Sequence, residues 1–223
     1  MFAGHIGVAL AAGRIEPQVN VGVFAAAAML LDALLWAFVL LGWEAVTIPA
    51  DFAATHQAAF VFPYSHGLLA AVAWSALCGA VAFLLRSARG HARWRAPALV
   101  MAVVFSHWLL DAMVHRPELP LVGAASPVLG IGLWDHMGLA LAVESALVAA
   151  GMIVFFPACR LPRARRLGLA TLVLLVLAFT IAGMTVAPAP PSGAAMATSS
   201  LVTVVLVCAL MGWLGRIGRN TAR

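Results

Sequence analysis

Six stretches of the sequence are long and apolar enough to cross a lipid bilayer as α-helices. A transmembrane helix needs about 20 mostly apolar residues, because the hydrocarbon core is about 30 Å thick. The composition agrees: 64% of the 223 residues are hydrophobic and 9% are charged, against about 25% charged in a soluble domain. We therefore predict an all-α, polytopic membrane helix bundle. Its predicted spans are residues 21–43, 65–85, 98–114, 131–156, 167–186 and 200–214.

The apolar segment at residues 2–12 is too short to cross the membrane. It is either an interfacial helix or a half-helix that dips into the protein, and we count it as a short N-terminal half-helix. Residues 1–156 carry ionisable side chains within their apolar segments, whereas the last two spans have none in their centres. The sequence thus predicts a polar-site-bearing bundle at 1–156 and a C-terminal transmembrane hairpin at 157–223.

The basic residues are all arginine, and eleven of the 13 follow the second, fourth and sixth spans. Such clusters between spans are typical of the positive-inside rule rather than of a patch that tracks nucleic-acid phosphates, so we expect no nucleic-acid partner. The rule predicts an inner (cytoplasmic) membrane protein with both termini in the cytoplasm. The clusters are Arg86, Arg89, Arg93 and Arg95; Arg160, Arg163, Arg165 and Arg166; and Arg216, Arg219 and Arg223.

The third span runs into the stretch "SHWLLDAMVHRPELP" at residues 106–120, where polar side chains recur with helical spacing. His107, Asp111 and His115 are four residues apart, so they lie within about 80° of one another on one helix face. A charged or imidazole side chain in contact with acyl chains costs at least a few kcal/mol, so this face should point into the bundle.

Other segments supply partners for these residues at similar predicted depths. On the assigned topology most of them lie in the outer half of the membrane, where one cavity could hold them. Imidazole nitrogens and carboxylate oxygens together suit Zn, Mn or Fe, and such an ion activates water. The additional candidates are His5, Asp32, His66, Asp135, His136 and Glu144.

Several motifs resemble a family of small bacterial inner-membrane proteins described as membrane-bound metal-dependent hydrolases. The similar segments are "MFAGHIGVAL", "LLDALL", "PYSHGLLAA", "SHWLLDAMVHRPELPL" and "GIGLWD", within residues 1–156. The resemblance implies a substrate-binding position for Arg116, where an anionic group could be held. It implies metal ligation by His5, Asp32, His66, His107 and Asp111.

The sequence departs from the family pattern at two places. A Pro-Asp-x-Asp pair is replaced by Leu31-Asp32-Ala33-Leu34, and an expected additional histidine is missing at residues 61–63. These departures imply fewer ligands, or one metal ion rather than two.

Three classes of function are compatible with this pattern. The first is a metal-dependent hydrolase of a lipid-like or anionic substrate, with Asp135 or Glu144 as general base and Arg116 and His115 in contact with substrate. The second is an ion, proton or solute transporter, which would need a polar path to both faces. The third is a structural or regulatory protein whose polar stripe fixes helix packing, and the oligomeric state stays open.

Overall fold

The structure, a computed structural model, describes residues 1–85 and 92–216 and confirms an all-α helix bundle. Five of the described helices are long and apolar enough to cross a membrane, and a bent helix pair brings the number to six if the pair is counted as one span. Arg86, Arg89, Arg219 and Arg223, and the side chain of Arg93, lie outside the described residues. The helices are α1 (Ala3–Ile15), α2 (Val21–Ala28), α3 (Leu30–Leu40), α4 (Phe52–Thr55), α5 (Leu68–Leu85), α6 (Ala92–Val114), α7 (Met137–Phe155), α8 (Arg163–Gly183) and α9 (Gly193–Leu214).

The first span is not the single continuous helix predicted at residues 21–43. It is broken at Met29 into α2 and α3, whose axes differ by 49°. Beside the break, the carbonyl oxygen of Ala28 accepts a hydrogen bond from His107 Nδ1 at 2.6 Å. A side chain that bonds to a helix carbonyl is a recognised cause of such a bend. The break places Asp32 in the first turn of α3.

Several other helix starts also differ from the predicted limits. Helix α9 begins at Gly193 rather than at residue 200, since Ser192 Oγ accepts a hydrogen bond from the Ala195 amide. Helix α5 begins at Leu68 rather than at residue 65, so His66 lies in the turn before the helix. The fourth span opens with a 3-10 turn, Leu133–His136, before α7.

The N-terminal helix α1 is a buried element of the bundle rather than an interfacial helix. It packs mainly against α7, and most of its residues are buried. The two helices cross at glycines: a Cβ added to Gly7 would lie 2.4 Å from the Leu147 carbonyl oxygen, and one on Gly151 would lie 2.3 Å from the Gly7 carbonyl oxygen. Small residues allow this close approach, as is common between membrane helices.

The two C-terminal helices are packed into the rest of the bundle. Helix α9 lies against α2 and α3, and α8 contacts α1 and α7. At the α2–α9 crossing, a Cβ on Gly22 would lie 2.3 Å from the Gly212 Cα. Large apolar side chains such as Leu77, Leu174 and Leu206 are exposed on the outer faces, as expected of surfaces that contact lipid.

Two short antiparallel hairpins occupy loops that the sequence left without secondary structure. Strand β1 (Ala45–Thr47) pairs with β2 (Ala59–Val61), and β3 (Leu119–Pro120) pairs with β4 (Val128–Leu129). The residues just before β1 and β3 are Glu44 and Glu118. The hairpins therefore fix the position of two carboxylates.

The α1–α7 crossing gives a stability prediction. We expect Gly151→Leu to lower the melting temperature of the detergent-solubilised protein by several degrees, because the new side chain would displace α1 from α7. Overpacking of this kind costs about 1–3 kcal/mol, and 1 kcal/mol lowers the melting temperature of a chain this size by about 2–4 °C.

Gly138→Leu in the same helix is the matched control, since an added Cβ at Gly138 meets no atom within 4 Å. Thermal unfolding followed by circular dichroism measures both variants. Equal melting temperatures for the two variants would contradict the close helix crossing.

Candidate metal centre

Two histidines and two aspartates converge inside the bundle. Asp32, His66, His107 and Asp111 each offer one ligand atom, and these atoms all lie within 4.8 Å of one another. They come from three separate segments: the first turn of α3, the turn before α5, and one face of α6. The helical spacing of His107 and Asp111 was evident in the sequence, whereas their meeting with Asp32 and His66 required the fold.

The distances within this cluster match a tetrahedral ion site. The Nε2 atoms of His66 and His107 are 3.2 Å apart, and Asp111 Oδ2 lies 3.3 Å from His66 Nε2 and 3.2 Å from His107 Nε2. Asp32 Oδ1 lies 3.8 and 3.7 Å from the same two nitrogens. Ligands about 2.0–2.1 Å from a tetrahedral ion are separated by about 3.3 Å. The cluster could therefore hold a metal ion.

Hydrogen bonds fix the tautomer of both histidines. His107 Nδ1 donates to the Ala28 carbonyl oxygen, which can only accept. His66 Nδ1 lies 2.8 Å from Ser65 Oγ, and Ser65 Oγ donates its single proton to Glu44 Oε2 at 2.7 Å, so His66 Nδ1 must be the donor. In their neutral forms both rings then present an Nε2 lone pair to the cluster, as metal-ligating histidines do.

Two lone pairs and two carboxylates that face one another repel unless a cation or protons lie among them. His66, His107 and Asp111 are each 1% exposed or less, so bulk water cannot screen this repulsion. A divalent ion bound by all four groups would remove it. The donor set therefore fits a divalent metal, and mixed nitrogen and oxygen ligands suit Zn, Mn or Fe.

Glu44 is a supporting residue that the sequence did not single out. Its Oε1 accepts hydrogen bonds from the amides of Tyr64 and Ser65, both at 2.8 Å, and its Oε2 accepts from Ser65 Oγ. Burial raises the pKa of Glu44, and the hydrogen bonds from Ser65 and Tyr64 oppose that rise. The carboxylate thus fixes the turn that carries His66. The sequence signal for Glu44 was an acidic residue directly after the first predicted span, in a chain with few charged residues.

His5, the fifth predicted ligand, lies beside the group of four. Its ring stacks on His107 with centroids 3.8 Å apart and planes 9° apart, and its Nε2 is 3.3 Å from Asp111 Oδ1. The Met1 amino group lies 2.7 Å from the same Oδ1 atom. Asp111 Oδ1 therefore faces the N-terminal segment, whereas Asp111 Oδ2 faces His66 and His107.

His115 lies next to the cluster and is held by a carboxylate. His115 Nδ1 is 2.6 Å from Glu118 Oε1, and Glu118 Oε2 accepts a hydrogen bond from the Phe60 amide at 3.3 Å. His115 Nε2 lies 3.7 Å from Asp111 Oδ2. The sequence identified His115, whereas Glu118 lay in a stretch that resembled an ordinary proline-bounded turn.

The remaining predicted site residues lie in different places. Arg116 Nε donates to Asp135 Oδ1 at 2.7 Å, and both side chains are about half exposed, at 52% and 50%. The adjacent His136 is exposed. Glu144 is buried, and its Oε2 accepts a hydrogen bond from the Gly4 amide at 3.1 Å. Glu144 lines the cavity described next, whereas Arg116 and Asp135 do not.

A cavity of about 370 Å³ adjoins the cluster. Its polar end is lined by Asp32, His66, Asp111, His115 and Glu144, and it continues between α8 and α9 as far as the loop at residues 187–190. Most of its wall is apolar. Both its size and its few convergent polar groups are typical of small-molecule sites.

Comparison of the chain with models of known protein families, with curated proteins and with solved structures found no match. The family resemblance of the short motifs therefore stays a prediction. Interpretation of the site rests on its geometry.

The geometry of the cluster predicts one bound metal ion per chain. We expect the purified wild-type protein to carry about one divalent transition-metal ion per chain, and His107→Ala and Asp111→Asn to lose most of it, because each removes one of four ligands. Elemental analysis by mass spectrometry measures the content. His136→Ala is the control, since His136 is exposed and outside the cluster, and equal metal content in all variants would refute the site.

The Ser65 hydroxyl gives a second prediction. We expect Ser65→Ala to weaken metal affinity about 10–100-fold without removing a ligand, because His66 loses the acceptor that fixes its tautomer. Competition with a chelating dye measures the dissociation constant.

Ser75→Ala is the matched control for this measurement. Ser75 is also buried, but its Oγ donates to the Ala71 carbonyl within α5. Unchanged affinity in Ser65→Ala would show that the hydroxyl does not orient His66.

Proposed function

We propose that this protein is a membrane-embedded metal-dependent hydrolase. The observation that supports this best is that three of the four cluster residues, Asp32, His66 and Asp111, also line the cavity. A purely structural ion would be enclosed on all sides, whereas a catalytic ion needs a position open to substrate. The family resemblance of the short motifs points the same way.

In this proposal each residue of the cluster has a defined task. Asp32 and Asp111 supply negative charge that balances a divalent cation, and His66 and His107 supply neutral Nε2 lone pairs. When bound, such an ion polarises a carbonyl or phosphoryl oxygen and lowers the pKa of water. The apolar wall of the cavity excludes bulk water, which strengthens electrostatic interactions inside.

His115 is the best-placed proton acceptor in the described part of the chain. Because its Nδ1 donates to Glu118 Oε1, its Nε2 can take a proton from water and later pass it to a leaving group. Glu118 holds the ring in that tautomer. Asp135, half exposed and paired with Arg116, is less suited to this task. Glu144 stays a second candidate because it is buried and lines the cavity.

We further propose that the protein lies in a bacterial inner membrane with both termini in the cytoplasm. The distribution of arginines along the sequence supports this orientation. On that topology the two β-hairpins, which belong to nearly arginine-free loops, face the outer side, and the cavity would receive its substrate from the outer half of the bilayer.

The proposed function gives an activity prediction. With p-nitrophenyl acetate as a small ester probe, we expect His115→Gln to lower kcat about 10²-fold or more while the ion stays bound, because only proton transfer is lost. Asp111→Asn should lose both the ion and the activity. Release of p-nitrophenolate and elemental analysis measure the two effects on the same samples.

His136→Gln serves as the control for loss of an imidazole outside the cavity. Ion-loaded wild type that hydrolyses neither carboxylic nor phosphoric esters would contradict the hydrolase proposal. If it instead moved divalent ions into proteoliposomes in an Asp111-dependent manner, the transporter alternative would replace it.

A further inference from the structure

The cavity has two chemically different ends. At one end are the carboxylates and imidazoles of the cluster. At the other, the lining residues include Phe179 and Gly183 of α8, Met184 just after that helix, and Met196 of α9. The two ends form one continuous volume of about 370 Å³. A ligand that fills it must therefore be polar at one end and apolar at the other.

Of the four described hydroxyl-bearing residues of α8 and α9 that line the cavity, all but Ser200 donate to the backbone. Thr180 Oγ1 donates to the Val176 carbonyl, Ser199 Oγ to the Met196 carbonyl, and Thr203 Oγ1 to the Ser199 carbonyl. These protons are committed to the backbone of their own helices. The wall there offers a ligand mainly carbon surface, which suits an alkyl chain.

The charges around the polar end disfavour an anionic head group. Among the cavity-lining residues that the structure describes there is no arginine, and the chain contains no lysine. Met1, one of the described lining residues, has a cationic amino group that is already paired with Asp111. A divalent ion would be neutralised by Asp32 and Asp111, and Glu144 adds a further carboxylate. Arg116, the anion-binding candidate from the sequence, is paired with Asp135 away from the cavity.

We propose that the substrate is an uncharged single-chain acyl ester or amide, with its carbonyl at the His/Asp cluster and its acyl chain between α8 and α9. This inference rests on the proposed hydrolase function and specifies its substrate class. Hydrolysis adds water across the acyl bond: the water oxygen bonds to the acyl carbon, and the bond to the leaving oxygen or nitrogen breaks. His115 Nε2 takes one water proton and returns it to the leaving alcohol or amine, and the product acid releases the other.

Gly183 allows the apolar end to be blocked without disturbing the fold. An added Cβ there meets no atom within 4 Å, and Gly183 lines the cavity. Gly183→Phe should fill the space that the acyl chain needs. Ser200→Trp, from the facing helix, blocks the same end independently. Gly138→Phe is the matched control, because Gly138 is equally open to an added side chain and lies outside the cavity.

The first experiment measures binding without catalysis. A neutral C12 fatty amide carrying a diazirine near its chain end is photolysed with wild type and variants in nanodiscs of one fixed lipid composition. We expect labelling of the cavity-lining part of α8 and α9 in wild type and in Gly138→Phe. We expect at least about a tenfold loss in Gly183→Phe and Ser200→Trp. Equal labelling in all four proteins would overturn the acyl-chain site.

The second experiment measures hydrolysis in the same nanodiscs with three probes that share one leaving group. These are p-nitrophenyl acetate, p-nitrophenyl octanoate and the anionic diester octyl p-nitrophenyl phosphate. We expect kcat/KM to be at least about tenfold higher for octanoate than for acetate, with Gly183→Phe abolishing that ratio and Gly138→Phe retaining it. The phosphate diester should be the poorest substrate.

The outcomes separate this inference from the proposed function. Hydrolysis of acetate and octanoate at equal rates, unaffected by Gly183→Phe, would overturn the inference and leave the hydrolase intact. Preference for the phosphate diester would overturn the neutral head group. Cavity labelling by the amide without hydrolysis of any probe would support the binding site and refute the hydrolase.

Discussion

Imidazoles and carboxylates inside an apolar helix bundle depend on one another for their burial. An unpaired charge in a low-dielectric interior costs several kcal/mol, and facing partners together with a cation offset that cost. Asp111 and His107 are almost fully buried on α6, so the segments that carry Asp32 and His66 must meet them. This requirement brings α3, α6 and the turn before α5 together at one point. The same contacts therefore form the site and position these segments relative to one another.

Hydrogen bonds from residues outside the cluster fix the tautomers of its two histidines. The broken first span offers the Ala28 carbonyl to His107, and Glu44 holds Ser65 against His66. Both imidazoles are thereby fixed with Nε2 toward the cluster. The Ala28 carbonyl can only accept a hydrogen bond, and so can the Ser65 hydroxyl once its proton is donated to Glu44. Each neutral imidazole is therefore restricted to one tautomer. The bend in the first span thus serves the site, in addition to shaping the bundle.

The C-terminal helices contribute space rather than ionisable groups. Their apolar surfaces extend the cavity away from the cluster, and the hydroxyls of Thr180, Ser199 and Thr203 bond to their own helix backbones. A hairpin without ionisable residues at its centre thus lines the same cavity as the polar bundle. It also shifts the expected substrate from the anionic molecule suggested by Arg116 toward a neutral amphiphile, since Arg116 is paired with Asp135 outside the cavity.

The sequence by itself determined the membrane class, the approximate spans and the polar face of α6, because hydropathy and helical periodicity are local properties of the chain. The buried cluster residues His66, His107 and Asp111 were also predictable, since ionisable residues in apolar segments are few. The tertiary structure alone decided that His5 lies beside the group of four, that Arg116 pairs with Asp135, and that Glu44 and Glu118 support the histidines. Those facts depend on contacts between residues distant in the chain, and on a helix break that no proline or glycine marked.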